Sequence, residues 1–117
     1  MGKSNFKSEP GIERQLALQD ALDILRGKWK ILILRSLYLY GTMRFKDLLE
    51  ASKNITPKVL SNELQQLELN LLITRTVNNT KPITVSYELT NHAIETLPVI
   101  KALIEFGLKH RKKIKDN

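Results

Sequence analysis

The fold is decided by residues 56–90, TPKVLSNELQQLELNLLITRTVNNTKPITVSYELT, where the spacing of the apolar residues changes from helical to strand-like. Thr56 followed by Pro57 is a typical helix start, with threonine as the N-cap and proline at the first helical position. We predict a helix over residues 56–70. One side of its wheel is apolar, with Leu60, Leu64, Leu67 and Leu71, and the opposite side is polar, with Lys58, Ser61, Asn62 and Gln65.

After Leu72 the apolar residues recur at every second position, which is typical of strands. Ile73, Arg75 and Val77 alternate with Thr74 and Thr76, and a second alternating run extends from Ile83 to Leu89. The residues between these runs, 78–82, are rich in turn formers. The sequence therefore predicts a β-hairpin over residues 73–89.

Helical spacing dominates on both sides of this unit. We predict a helix from Leu16 to a stop at Gly27, a second over residues 28–39 ended by Gly41, and a third over residues 45–51. Thr90 is expected to cap a last helix over residues 91–108, which Pro98 should bend or restart. The chain divides into a disordered tail (1–14), one folded domain (15–108) and a basic tail (109–117) that is either a frayed end or an electrostatic arm.

Charge is concentrated rather than spread evenly. The net charge is +7, from 19 basic and 12 acidic residues. Residues 26–81 hold ten basic and four acidic side chains, a net +6, whereas residues 1–25 and 82–108 are mildly acidic. Such a localised excess predicts an anionic partner, with nucleic acid favoured over an acidic membrane surface.

Composition also excludes several classes of protein. There is no cysteine, which excludes a disulfide framework, a zinc finger and a thiol nucleophile. The two histidines have no partner motif for metal binding or base catalysis, so we expect neither an enzyme nor a bound cofactor. The start is polar and no apolar run is long enough to cross a bilayer, so a cytoplasmic chain without membrane contact is expected.

Two helices joined by a short turn and followed directly by a hairpin form the winged helix-turn-helix arrangement. The pair is residues 45–51 and 56–70, and the wing is residues 73–89. The expected fold class is therefore mainly α with a small β-hairpin. The expected function is sequence-specific binding of double-stranded DNA, with the helix over residues 56–70 in the major groove.

The polar side of that helix provides the candidate DNA contacts. Gln65 or Asn62 can pair with adenine, and Lys58 can reach guanine or a phosphate. The wing is expected to meet phosphates or the minor groove. The recognition-helix candidates are Thr56, Pro57, Lys58, Ser61, Asn62 and Gln65, the wing candidates are Arg75, Asn78, Asn79 and Lys81, and the phosphate-contact candidates are Lys28, Lys30, Arg44 and Lys46.

Several segments resemble the HxlR family of bacterial, MarR-like transcriptional regulators. They are ALDILRGKWKILILRSL (residues 21–37), RFKDLLEA, ITPKVLSNELQQLE, VSYELT and LPVIKALIEFG, and the match covers roughly residues 16–107. The resemblance implies a dimeric winged helix-turn-helix regulator, often a repressor, which binds a pseudo-palindromic operator and pairs through its terminal helices.

The apolar stripe of the last helix exceeds what one small domain needs to bury, which also favours a homodimer. The candidate dimer contacts are Leu18, Leu22, Ile100, Leu103, Ile104 and Gly107. Trp29 is expected in the core or in this interface. The alternative function is a winged-helix module that binds protein or RNA without an operator.

The chain departs from the family at two places. Many members carry a Cys-Pro pair where this chain has Leu16 and Ala17, so thiol sensing of that kind is excluded. A small-molecule effector of unidentified chemistry is left as a further partner. The family also usually has glycine where this chain has Ala93, which concerns local geometry alone.

Overall fold

The computed structural model describes residues 9–117 and contains five α-helices and one three-stranded antiparallel sheet. This confirms the mainly α fold with a small hairpin. A short 3₁₀ helix, His92–Thr96, lies between the last strand and the last helix. In chain order the elements are α1 (Glu9–Leu25), α2 (Lys30–Tyr40), β1 (Met43–Arg44), α3 (Phe45–Ala51), α4 (Pro57–Leu69), β2 (Ile73–Asn78), β3 (Thr84–Leu89) and α5 (Leu97–Lys115).

Both terminal helices are longer than the sequence predicts. Helix α1 begins at Glu9 instead of Leu16, so the prediction of a disordered tail over residues 1–14 is wrong from residue 9 onward, and residues 1–8 lie outside the described part. Helix α5 continues through the basic segment to Lys115. Charged and polar residues of this kind are good helix formers, so the lack of apolar side chains did not mark a helix end.

The predicted helix stops are confirmed. Gly27 has φ +93° just after α1, and Gly41 has φ +77° at the end of α2. Both values lie in the left-handed region, which glycine adopts without a Cβ penalty. Pro98 occupies the first turn of α5, where it restarts the helix after the 3₁₀ segment.

Helix α4 begins as predicted. The Thr56 hydroxyl accepts a hydrogen bond of 3.2 Å from the Val59 N–H, and Pro57 is the first helical residue. Leu60, Leu64 and Leu67 are buried in the core.

The prediction for Leu71 is wrong. The helix ends at Leu69, and Leu71 takes φ +62°, which turns the chain toward β2. Its side chain is exposed, and Leu72 is buried instead.

The sheet has the strand order β1-β3-β2. Strands β2 and β3 form the predicted hairpin, with Ile73 opposite Leu89 and Arg75 opposite Tyr87. Strand β1 pairs Met43 with Tyr87 on the other side of β3. The sequence did not predict β1, because two residues are too few to reveal an alternating pattern.

The core lies between α2, α3, α4 and the sheet. Its members include Ile33, Leu34, Leu37, Leu48, Leu60, Leu64, Leu67, Leu72, Ile73 and Ile100. Trp29 is partly buried against it. Helix α1 contributes little, since Ile24 and Leu25 at its end are its residues that pack on this core. The rest of α1 projects from the domain with exposed side chains from Ile12 to Asp23.

Candidate nucleic-acid interface

The polar face of α4 is exposed along its length. Lys58, Ser61, Asn62 and Gln65 are all exposed, while the leucines on the opposite face are buried in the core. The buried face fixes the rotation of the helix about its own axis, because its leucines belong to one core cluster with residues of α2, α3 and the sheet. Donors and acceptors are therefore presented to solvent from a rigid support, which is the arrangement that base readout requires.

A shallow concavity lies between α4 and the hairpin. It is lined by polar groups from both elements, including Ser61, Gln65, Arg75 and Tyr87. Arg75 on β2 therefore lies beside the recognition-helix candidates instead of at the tip of the wing. The spacing of these residues in the sequence did not predict that they lie together, because their proximity depends on how the hairpin folds back against α4.

Glu68 lines the same concavity and was not among the candidates. It is exposed and lies three residues after Gln65, so it continues the polar row by one turn. The three-residue spacing from Gln65 was the signal in the sequence by which Glu68 could have been found. A carboxylate here can accept a hydrogen bond from a cytosine amino group, and it repels phosphates.

At the tip of the hairpin, Asn78 does not have the role predicted for it. Its amide nitrogen donates to the hydroxyls of Thr84 and Ser86, both at 3.2 Å, and its side chain is half-buried. Asn78 therefore joins the two strands. Asn79 and Lys81 are exposed at the turn and available to a partner.

Lys30 also differs from its prediction as a phosphate contact. It is 4% exposed, and its ammonium group forms an ion pair with Glu63 on α4. The assignment is wrong, because a buried and paired ammonium cannot reach DNA. This pair instead attaches the start of α2 to the recognition helix.

The other three phosphate candidates are exposed. Arg44 and Lys46 lie at the start of α3, where the Asp47 carboxylate accepts a hydrogen bond of 3.1 Å from the Arg44 N–H. Lys28 precedes α2, and its ammonium lies 4.8 Å from the centre of the Trp29 ring, a cation–π contact.

Of the predicted dimer contacts, most are accessible at the surface and one is buried in the core. Leu18 and Leu22 on α1 are each 61% exposed, and Leu103 and Ile104 on α5 are exposed as well. Gly107 is half-buried. Ile100 was wrongly assigned, because it is 4% exposed and packs in the core of its own chain.

Residues 11–117, whose side chains the structure describes, contain no group of three or more His, Asp or Glu side chains arranged to hold a metal ion. Within the same region, each helix is too short or too polar to cross a membrane.

Comparison with known proteins identifies relatives over almost the whole folded region. The HxlR-like helix-turn-helix family profile matches residues 24–115. The HTH-type transcriptional regulator BH0655 of Halalkalibacterium halodurans is 37% identical over 90 residues, which cover 77% of this chain and 80% of the relative.

Solved structures give the same fold. A transcriptional regulator of the MarR family from Enterococcus faecalis V583 superposes with a TM-score of 0.74 at 29% identity, covering 88% of this chain and 93% of that one. The reduced form of the redox regulator HypR superposes with a TM-score of 0.78 at 26% identity, covering 86% and 99%.

Proposed function

Because the chain belongs to the HxlR-like helix-turn-helix family, we propose that it binds duplex DNA as a homodimer and represses transcription from a pseudo-palindromic operator. The chain is a winged-helix transcriptional regulator and not an enzyme. In the proposed complex α4 enters the major groove, and the hairpin contacts the backbone or the minor groove.

The exposed polar face of α4 carries this proposal. Lys58, Ser61, Asn62 and Gln65 present one cation and three neutral hydrogen-bonding groups, a mixture suited to phosphates and base edges together. Thr56 and Pro57, at the start of the helix, are assigned to the same DNA-binding face. Arg75 extends the face from the wing, and Asn79 and Lys81 are assigned backbone contacts.

Arg44 and Lys46 support phosphate binding on a second element. Both are exposed at the start of α3, and neither has a carboxylate partner among the ion pairs of residues 11–117, whose side chains the structure describes. Unpaired cations of this kind release condensed counterions when they approach DNA, which favours binding at low salt.

The projecting helix α1 supports the homodimer. A helix of 17 residues that contacts little of its own domain is marginal in water, so it needs a partner surface to persist. The exposed leucines of α1 and the exposed apolar residues of α5 provide such a surface in a second copy. Two copies related by a two-fold axis would present two α4 helices to the two halves of a palindromic site.

The proposed DNA binding is tested by its salt dependence. We expect the logarithm of the association constant to fall with the logarithm of the salt concentration, with a slope of about −0.9 per neutralised phosphate. Fluorescence anisotropy of a labelled duplex measures this slope, and sequences selected from a random pool provide the operator. An affinity that stays constant from low to moderate salt would contradict the proposal.

A further inference from the structure

The outer end of the hairpin carries apolar side chains that the fold leaves uncovered. Val77 in β2 is 56% exposed, and Ile83, directly before β3, is 67% exposed. Pro82, next to Ile83, is exposed as well. A single exposed apolar residue is ordinary on a protein surface, but these three occupy one end of one hairpin. This end, residues 77–83, is called the wing tip below, and it offers apolar area for a partner to bury.

The strand register places the wing tip beside the proposed DNA-binding face. Val77 pairs with Val85, two positions along the strands from the pair of Arg75 with Tyr87. Side chains two positions apart point to the same side of a sheet, so Val77 lies on the side that Arg75 occupies. Arg75 lines the polar concavity between the hairpin and α4. A duplex held against α4 and Arg75 therefore meets the hairpin again further out, at the wing tip.

Hydrogen bonds within the turn hold the wing tip in one shape. The Thr80 hydroxyl donates to the Pro82 carbonyl oxygen at 2.8 Å, and it lies within hydrogen-bond distance of the Thr84 hydroxyl, at 3.1 Å. The Asn78 amide nitrogen donates to the same Thr84 hydroxyl across the two strands. A preorganised surface loses little conformational entropy when it enters a partner. Insertion of Ile83 is therefore less costly than insertion of a side chain from a flexible loop.

The charges around the wing tip favour an anionic partner. Residues 69–87 contain two basic side chains, Arg75 and Lys81, and no acidic one. Both cations are exposed, and Asn79 adds an exposed amide. Proteins that bind the minor groove of DNA combine Lys, Arg, Asn or Gln with an apolar wedge such as Ile or Pro, which separates adjacent base pairs. The wing tip has both parts of this combination.

We propose that Ile83 inserts between two adjacent base pairs from the minor groove and kinks the duplex, an inference that rests on the proposed DNA binding. Asn79 and Lys81 contact the phosphates beside the groove and hold Ile83 over the base step. Pro82 adds apolar surface against the separated base pairs. Partial unstacking costs free energy, and the buried apolar area together with the additional contacts of the bent duplex offsets that cost.

Insertion of Ile83 gives the protein sequence specificity at base pairs that α4 does not contact. Pyrimidine–purine steps, TA and CA/TG, kink and unstack more easily than other steps. We therefore expect the operator to contain such a step in each half-site, beside the bases that α4 reads. In the proposed homodimer the two wing tips kink the duplex at two places.

The insertion is tested with 2-aminopurine, an adenine analogue whose fluorescence rises when it is unstacked. The analogue is placed at one position after another in an operator selected from a random pool, and the full chain is titrated into each duplex. We expect emission to rise at the predicted step in each half-site and to stay low elsewhere. Energy transfer between dyes at the two ends of the duplex should increase, because bending brings the ends closer.

Variants assign the kink to Ile83. Ile83→Ala should abolish the rise in emission and weaken operator binding about tenfold, because buried apolar area is lost. Ile83→Leu should retain most of both effects. The matched control is Ile94→Ala, which truncates an isoleucine that is 46% exposed in the 3₁₀ helix and should bind and kink the operator as the wild type does. Each variant should keep the thermal midpoint of the wild type within a few degrees, since the side chains are exposed.

A change in the DNA provides the second half of the test. Replacing the kinked step by AA, which is stiffer, should weaken wild-type binding about tenfold and binding of Ile83→Ala much less. Equal losses in the two proteins would overturn the proposal, as would a rise in emission that persists in Ile83→Ala or is lost equally in Ile94→Ala.

Anisotropy of a labelled duplex measures binding separately from the kink. If the wild type binds its operator without unstacking or bending it, the insertion is overturned and the proposed function stands. If the wild type binds no duplex at any salt concentration, the proposed function is overturned and the insertion with it.

Discussion

At the scale of single residues, burial decides whether a charged side chain can bind a partner or instead stabilises the fold. Lys30 lies in a basic run with Lys28, yet its ammonium is buried and paired with Glu63 on the recognition helix. Removing one member of such a pair leaves the other charge without compensation, which costs more than the pair contributes. We expect Glu63→Gln to lower the free energy of unfolding by roughly 2 to 3 kcal/mol, measured by urea denaturation.

The control for this prediction is Lys109→Gln, which removes an exposed positive charge and should change the stability by less than about 0.5 kcal/mol. The double variant Lys30→Met/Glu63→Gln should lose less free energy of unfolding than the two single variants lose together, because neither charge remains buried in it. Strictly additive effects would argue against a coupled ion pair.

The exposed residues of α4 are expected to differ in what they contribute to DNA binding. Lys58→Ala should weaken binding to all sequences and reduce the salt slope by about one, as expected for a phosphate contact. Ser61→Ala and Gln65→Ala should weaken binding to the operator selectively, by about 1 to 3 kcal/mol for each lost base contact. Anisotropy with the operator and a scrambled duplex distinguishes these outcomes, and a loss of nonspecific affinity alone in all three variants would contradict the assignment.

At the scale of the elements, the start of α4 depends on one side-chain hydrogen bond. The Thr56 hydroxyl satisfies the Val59 N–H, which otherwise has no acceptor in the first turn of the helix. Thr56→Ala should lower the free energy of unfolding by about 1 kcal/mol. Thermal denaturation measures the loss, Thr56→Ser should restore most of it, and an unchanged midpoint in the alanine variant would show that the cap contributes little.

The hairpin illustrates a different relation between sequence and structure. Alternation of apolar residues predicted both strands, and the register places Arg75 opposite Tyr87. The alternation of residues along the strands does not predict how close the hairpin lies to α4. That distance depends on the packing of Leu64, Ile73 and Tyr87 in a shared core. The polar concavity of Ser61, Gln65, Glu68 and Arg75 therefore became visible in the fold alone.

At the scale of the whole molecule, the projecting α1 leads to a prediction about assembly. Light scattering should report about twice the chain mass of 13.5 kDa. The variant Leu18→Glu/Leu22→Glu places two charges on the exposed face of α1 and should yield a monomer with weakened operator binding. Ile83→Glu, which changes an exposed apolar residue of the wing, is the matched control and should stay dimeric. A wild-type monomer at micromolar concentration would contradict the interface.

The sequence by itself determined the order and type of most elements, the family, and the polar face of the recognition helix. These features follow from periodicity, caps and turn formers, which act between residues near one another along the chain. The amphipathic spacing of α4 is sufficient to separate its buried leucines from its exposed polar residues.

The tertiary structure alone decided which charges and apolar groups are accessible. It buried Lys30 against Glu63 and Ile100 in the core, and it engaged Asn78 between two strands. Burial and pairing depend on contacts between residues far apart in sequence, 33 positions in the case of Lys30 and Glu63. No local pattern contains that information, since the same lysine would be exposed if α4 packed elsewhere.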